Sequence, residues 1–286
     1  MAKIDMKPTG YRVLSLEQDL PQTKTASKET DAEIIERLRE RFQILDDMTR
    51  AVKKGDVRAM IVSGPPGVGK SFGVEKVLSK HDVMANIAND EKLKKYEIVK
   101  GAMSAIGLYK KLYEFSDKKC ILVFDDCDSV LLDDLSLNIL KAALDSSKKR
   151  TISWNTDSRS LVQEGVPNQF EFAGGAIFIT NIKFENVKSK KLQDHLAALE
   201  SRCHYLDLTI DTEREKILRI KQIVNDGMLA DYEFDDATVQ EIVDYITTNA
   251  KRMRELSLRM VLKVADLRKS MPKQWQRVAE LSCMRR

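Results

Sequence analysis

Five short runs rich in apolar residues punctuate the first two-thirds of the chain: AMIVSG (59–64), YEIVKG (96–101), CILVFDD (120–126), AIFITN (176–181) and HYLDL (204–208). Continuous apolar runs of this length suit strands covered on both faces. Between them the period changes. Ile34, Ile35, Leu38, Phe42, Leu45 and Met48 recur at helical spacing behind a cap at Thr30 or Asp31, and this helix should stop near Lys54-Gly55. Another helix should begin near Lys70, a further one is marked by Ile106, Tyr109, Leu112 and Tyr113, and SLNILKAALDS also reads as helix. Strands alternating with helices predict an α/β fold whose mostly parallel sheet carries helices on both faces.

After Leu208 the strands stop. Segments 211–227, 235–248, 251–269 and 273–284 read as helices, which predicts a domain boundary near residue 209. Residues 1–30 show no sustained period and contain the polar run TKTASKET, so a flexible arm is expected there. The stretch 147–175 fits poorly. RTISW and QFEFA alternate like strands around a polar middle, and a β-hairpin insertion is the expectation. Irregular insertions of that length are often functional.

Composition narrows the class. Of 286 residues, 43% are hydrophobic and 32% charged, which is a globular composition with a core. No stretch is long and apolar enough to span a membrane, and MAKIDMKPTGYRVLSLEQDL lacks the apolar centre of a signal peptide, so a cytoplasmic protein is expected. Cys120, Cys127, Cys203 and Cys283 form no CxxC pair, and His81, His195 and His204 are scattered; reduced thiols and no zinc site are expected. Net charge is only +4, yet residues 251–286 carry eleven Lys or Arg against Glu255, Asp266 and Glu280. Such a run is commonly a solvated helix face; it also suits a polyanion or an acidic partner.

The chemistry lies at the strand ends. GPPGVGKS (64–71) has the form G-x-x-x-x-G-K-[ST] between a strand and a helix. Gly64, Gly67 and Gly69 let backbone N–H groups turn around phosphate oxygens, with Pro65, Pro66, Val68 and Phe72 completing the loop. The following helix aims its N-terminus at the same anion. Lys70 supplies a cation to the β- and γ-phosphates, and Ser71 a hydroxyl to Mg²⁺. In ILVFDD an apolar strand ends in acids. Asp125 is expected to hold Mg²⁺ and Asp126 to orient or deprotonate the attacking water, with Asp128 behind them. Asn181, a lone amide closing a buried strand, can hydrogen-bond that water or the γ-phosphate.

GPPGVGKS, FDDCD, FITN and ESRC, in this order and at these spacings, resemble an AAA+ ATPase across roughly residues 31–270. The chain looks most like small ATPases of bacteriophage and bacterial genomes. The resemblance implies that the first two motifs are Walker A and Walker B, that Asn181 is sensor 1, and that Arg202 is an arginine finger. The SRC triplet is also similar to that of clamp loaders. Arg259 in LSLRMVLK is the candidate for sensor 2, with Arg252 and Arg254 competing. The expected fold is then a P-loop parallel sheet ordered 5-1-4-3-2, runs counted along the chain, with an α/β nucleotide-binding domain over 31–208 and a helical lid over 209–286.

One position departs from the family. Glu usually follows the Walker B Asp, and Asp126 stands there, as in bacterial replication initiators. A carboxylate one methylene shorter can leave the water off line, so slow turnover or switch-like use of ATP is compatible with it. GAMSAIG sits where hexameric relatives place a pore loop, yet the usual aromatic is missing and Met103 reads as core. Trp154 and Arg159 in the insertion could meet a partner, although Trp154 could equally pack on the sheet. The expected activity is ATP hydrolysis with Mg²⁺ in a homo-oligomer. Its client is either DNA with a replication or packaging protein, or another protein to be remodelled; a slow nucleotide switch is the third reading.

Overall fold

The computed structural model describes residues 29–80, 87 and 94–285. The arm expected over 1–30 lies, but for its last two residues, outside them.

Helix α1 (Asp31–Lys54) opens on a capping box, in which Thr30 and Glu33 satisfy each other's backbone N–H groups, and closes on Gly55 in the left-handed region at φ 83°. Strand β1 (Ala59–Ser63) leads into the glycine-rich loop and helix α2 (Lys70–Leu78). Strand β2 (Tyr96–Lys100), helix α3 (Ala105–Glu114), strand β3 (Ile121–Asp125), and helices α4 (Ser129–Leu132) and α5 (Asp134–Ala143) follow. Strand β6 (Gly175–Thr180), helix α7 (Lys190–Glu200) and strand β7 (His204–Asp207) complete the α/β part.

The five-stranded sheet runs β2-β3-β6-β1-β7, every neighbour parallel. Its three central strands are buried along almost their whole length, the condition their unbroken apolar runs call for. The period of two then sorts side chains by face. Ala59, Ile61, Leu122, Phe124, Ala176 and Phe178 join one core with side chains of α3, α5 and α7. Met60, Val62, Ile121, Val123, Ile177 and Ile179 join another with Leu45 and Val52 of α1 and Val74 and Leu78 of α2. Phe124 and Phe178 stack across adjacent strands at 5.1 Å, which fixes β3 beside β6.

The insertion is a two-stranded antiparallel sheet of β4 (Thr151–Ser153) and β5 (Gln169–Glu171), with a short helix α6 (Arg159–Gln163) in its polar middle. Trp154 packs on Tyr109 at 5.5 Å and Met103 packs against the same core, so both are packing residues in this chain. Arg159 is exposed.

Beyond β7 come α8 (Glu213–Asn225), α9 (Asp236–Thr248), α10 (Leu258–Ser270) and α11 (Trp275–Cys283). Their apolar faces form a cluster of their own, including Ile220, Ile242, Val261 and Trp275. The helix expected over 251–269 is divided. A 3₁₀ turn at Ala250–Arg252 is followed by a backbone bridge from Met253 to Met284, and α10 starts only where Ser257 caps it. The cause is tertiary: the C-terminal segment pairs with backbone that a continuous helix would have consumed.

Candidate nucleotide-binding site

The loop between β1 and α2 opens on a cavity of about 680 Å³. Pro66, Gly67, Gly69, Lys70, Ser71, Phe72, Asp126, Asn181 and Arg259 all border it, and Gly64, Pro65 and Val68 complete the loop's backbone behind them. Gly67 has φ 71°, and a Cβ there would stand 2.6 Å from Cβ of Ser257, the cap of α10. Any side chain would therefore push the C-terminal helices off the loop. The Leu258 N–H donates to the Gly67 carbonyl at 2.8 Å. Loop and C-terminal helices thus meet through backbone.

Lys70 is 5% exposed. Its Nζ donates to the carbonyls of Gly64 (2.6 Å) and Pro65 (2.9 Å) and to Asn181 Oδ1 (2.7 Å). Burial pulls its pKa down to about 8, against the opposing pull of Asp126 and Asp125. Asn181 passes the contact on, its Nδ2 donating to Asp126 Oδ1 at 2.8 Å. Asp126 has φ 51°, in the left-handed region, and its N–H donates to the Ile179 carbonyl at 3.0 Å. The chain therefore turns sharply as it leaves β3, which carries this exposed carboxylate into the cavity wall.

Asp125 faces the other way in the alternation and is buried. Ser71 Oγ donates to its Oδ1 at 2.7 Å, and Lys100 Nζ stands 3.4 Å from its Oδ2. The hydroxyl and carboxylate are the hard oxygen donors that Mg²⁺ prefers, already within one coordination sphere of each other. Lys100, opposite Asp125 in the strand register, was not marked by sequence. Asp128 accepts from Thr180 Oγ1 at 2.7 Å, so it braces the end of β6.

The remaining cations divide. Arg259 borders the cavity, whereas Arg252 pairs with Glu280 at 2.6 Å and Arg254 does not border it. Arg202 does not border it either. It sits after α7, where Nη1 donates to the Ala198 carbonyl at 2.5 Å and Nε is buried without a partner. Among the described residues it forms no ion pair with Glu200 or Asp207. Sequence reasoning also missed Phe42 and Arg219, which border the cavity from α1 and α8. An apolar residue at helical spacing and one Arg among several carried no signal.

The family model for "ATPase family associated with various cellular activities (AAA)" matches residues 60–167, which hold the loop, both acids and the insertion's first half. Over 280 residues the chain is 33% identical to a 36.7 kDa protein of the nrdC-mobD intergenic region of Enterobacteria phage T4, covering 97% of this chain and 80% of that one. The chain belongs to the AAA+ family of P-loop ATPases. Among solved structures, this AAA+ chain is similar to one in Drosophila ORC bound to DNA, with TM-score 0.35 and 13% identity over 98% of this chain and 68% of that one. It is similar as well to C. elegans PCH-2, with TM-score 0.31 and 13% identity over 88% and 66%. Among the described residues no helix is long and apolar enough to cross a membrane.

Proposed function

We propose that the chain hydrolyses ATP to ADP and phosphate at this cavity, with residues 31–208 as the nucleotide-binding domain and 209–286 as its lid. The observation that carries the reading is the line Lys70–Asn181–Asp126, made of two hydrogen bonds along one cavity wall. It joins a phosphate-binding cation to a carboxylate through an amide that can serve either. When nucleotide enters, Lys70 exchanges loop carbonyls for phosphate oxygens, and the loop amides and α2 N-terminus cradle the same group. Asn181 and Asp126 then position the attacking water, Asp126 taking its proton. Ser71 and Asp125 would hold Mg²⁺, which supplies charge neutralisation across the β- and γ-phosphates. Arg259 adds a cation from the lid side.

Arg202 acts on the nucleotide of a neighbouring copy, so the working form is a homo-oligomer. What supports this is that Arg202 does not border its own chain's cavity and that, among the described residues, no salt bridge holds it, although its charge is felt by Asp145. Arg fits the task because its planar fork stays charged and can meet two phosphate oxygens.

The client is DNA, handled as a motor or loader in nucleic-acid metabolism. Lys251, Arg254, Lys273, Arg277 and Arg285 are exposed in the C-terminal segment, from the 3₁₀ turn to the residues after α11, supporting a polyanion-binding face. The competing client is a protein. Phosphate release measured with and without single- and double-stranded DNA, over a salt series, separates them. Stimulation that falls steeply with salt supports DNA; indifference to DNA at low salt removes it.

A further inference from the structure

The cavity is bordered by a second buried cation besides Lys70. Arg219, on α8, is 7% exposed. Its Cζ lies 3.5 Å from the ring centroid of Phe42 on α1. Nη1 donates to Gln222 Oε1 at 2.9 Å, and Nε is buried without a hydrogen-bond partner. Among the described residues no carboxylate forms an ion pair with it. Burial pulls its pKa down to about 10, with only the charge of Asp226 opposing. A guanidinium buried without an acid is costly, and a packing role would be filled more cheaply by Met or Leu.

Its surroundings say what it faces. Arg219 borders the cavity together with Phe42, Ile223, Met228, Leu258 and Leu262, with Gln222, Asp226 and Asp231 also in the lining. A Cβ added at Gly69 would lie 3.8 Å from Arg219 Nη2 and 3.9 Å from the Phe42 ring, so this pair stands beside the end of the phosphate loop. Guanidinium is planar, donates only, and stacks on π systems. Nucleobases stack on guanidinium planes as they do on aromatic rings. One face of this plane is already covered by Phe42.

Resting on the nucleotide-binding reading above, we propose that Arg219 is the base-recognising residue: a purine ring lies on the guanidinium face turned away from Phe42. Purines gain more than pyrimidines from such a platform because they cover more of it. Arg219 is thereby a specificity residue, set apart from the cations that hold phosphate.

The test measures equilibrium binding of ATP, CTP and inorganic tripolyphosphate to the wild type, Arg219→Met and Arg219→Lys, each checked by its melting temperature. Arg219→Met keeps an unbranched chain on Phe42. It should bind ATP about tenfold more weakly, the scale of one base–platform stack, with the ATP-to-CTP ratio narrowed and tripolyphosphate affinity held. Arg219→Lys keeps charge without the plane and should behave the same. Unchanged ATP affinity in either folded variant overturns the proposal, as does an equal loss for tripolyphosphate, which would make Arg219 a phosphate ligand. Failure of the wild type to bind ATP at all would instead remove the nucleotide reading itself.

Discussion

The ammonium of Lys70 and the amide oxygen of Asn181 stand 2.7 Å apart although 111 positions separate them in the chain. The parallel sheet makes the meeting possible. β1 and β6 are neighbours in register from Ala59↔Ala176 to Ser63↔Thr180, so the loop after one and the residue after the other leave the same edge. Ligands of such sheets bind outside the carboxyl ends of the strands.

Lys70 gives ATP binding a pH limit. Burial lowers its pKa to about 8 without nucleotide, so above that pH the folded protein holds it neutral. Binding a polyanion then requires taking up a proton. ATP affinity should be flat below pH 8 and fall by up to about tenfold per unit above it. Titration calorimetry from pH 7 to 9.5 reads this directly, and an affinity that stayed flat across that range would contradict it.

Asp126→Asn should preserve ATP binding and reduce phosphate release by about a hundredfold or more, the usual scale for a lost general base. Asn keeps an oxygen for the Asn181 amide to donate to at its 2.8 Å contact, so positioning survives while basicity does not. A single-turnover assay with a parallel binding measurement separates the two. Normal turnover would shift the role to Asp128.

The motifs GPPGVGKS, FDDCD and FITN led to residues that border the cavity because each closes an apolar run. A strand buried on both faces announces its own end, and the ligand chemistry sits there. The base end carried no such mark. Phe42 belongs to the periodic apolar face of α1, and Arg219 to a charged helix with several basic residues. Only packing of α1 against α8 sets the ring 3.5 Å from the guanidinium. The same holds for α10, whose start at Leu258 depends on a bridge between Met253 and Met284. Pairings of that range leave no local pattern.

Glu215 couples α1 to α8. It closes the capping box of α8 on Thr212 and accepts from Arg37 of α1 at 2.8 Å. Burial alone would raise its pKa, but the Thr212 backbone hydrogen bond and Arg37 outweigh it and bring it down to about 2. The folded value lies below the unfolded one, so its stabilisation is present above about pH 4.5 and is lost as pH falls towards 2. Glu215→Gln should lower the melting temperature at pH 7, and the gap to wild type should narrow steadily between pH 4.5 and 3. A gap that stayed constant over that interval would show that the carboxylate's charge contributes nothing.

Arg202→Ala should bind ATP and be nearly inactive, since such a finger is worth about a thousandfold or more. Lys70→Ala should also be inactive alone. Mixed, the two should recover activity, because an intact loop then faces an intact Arg202 across an interface. A wild type fully active as a monomer in sedimentation would end the trans role.

The most direct test of the whole account compares wild type with Lys70→Ala for Mg²⁺-dependent ATP binding and phosphate release in one experiment. The account predicts saturable binding and phosphate release by the wild type. In the variant both should be lost while the melting temperature shows a folded protein. Unchanged ATP affinity in Lys70→Ala would contradict it, because the loop would then not be where the phosphates bind.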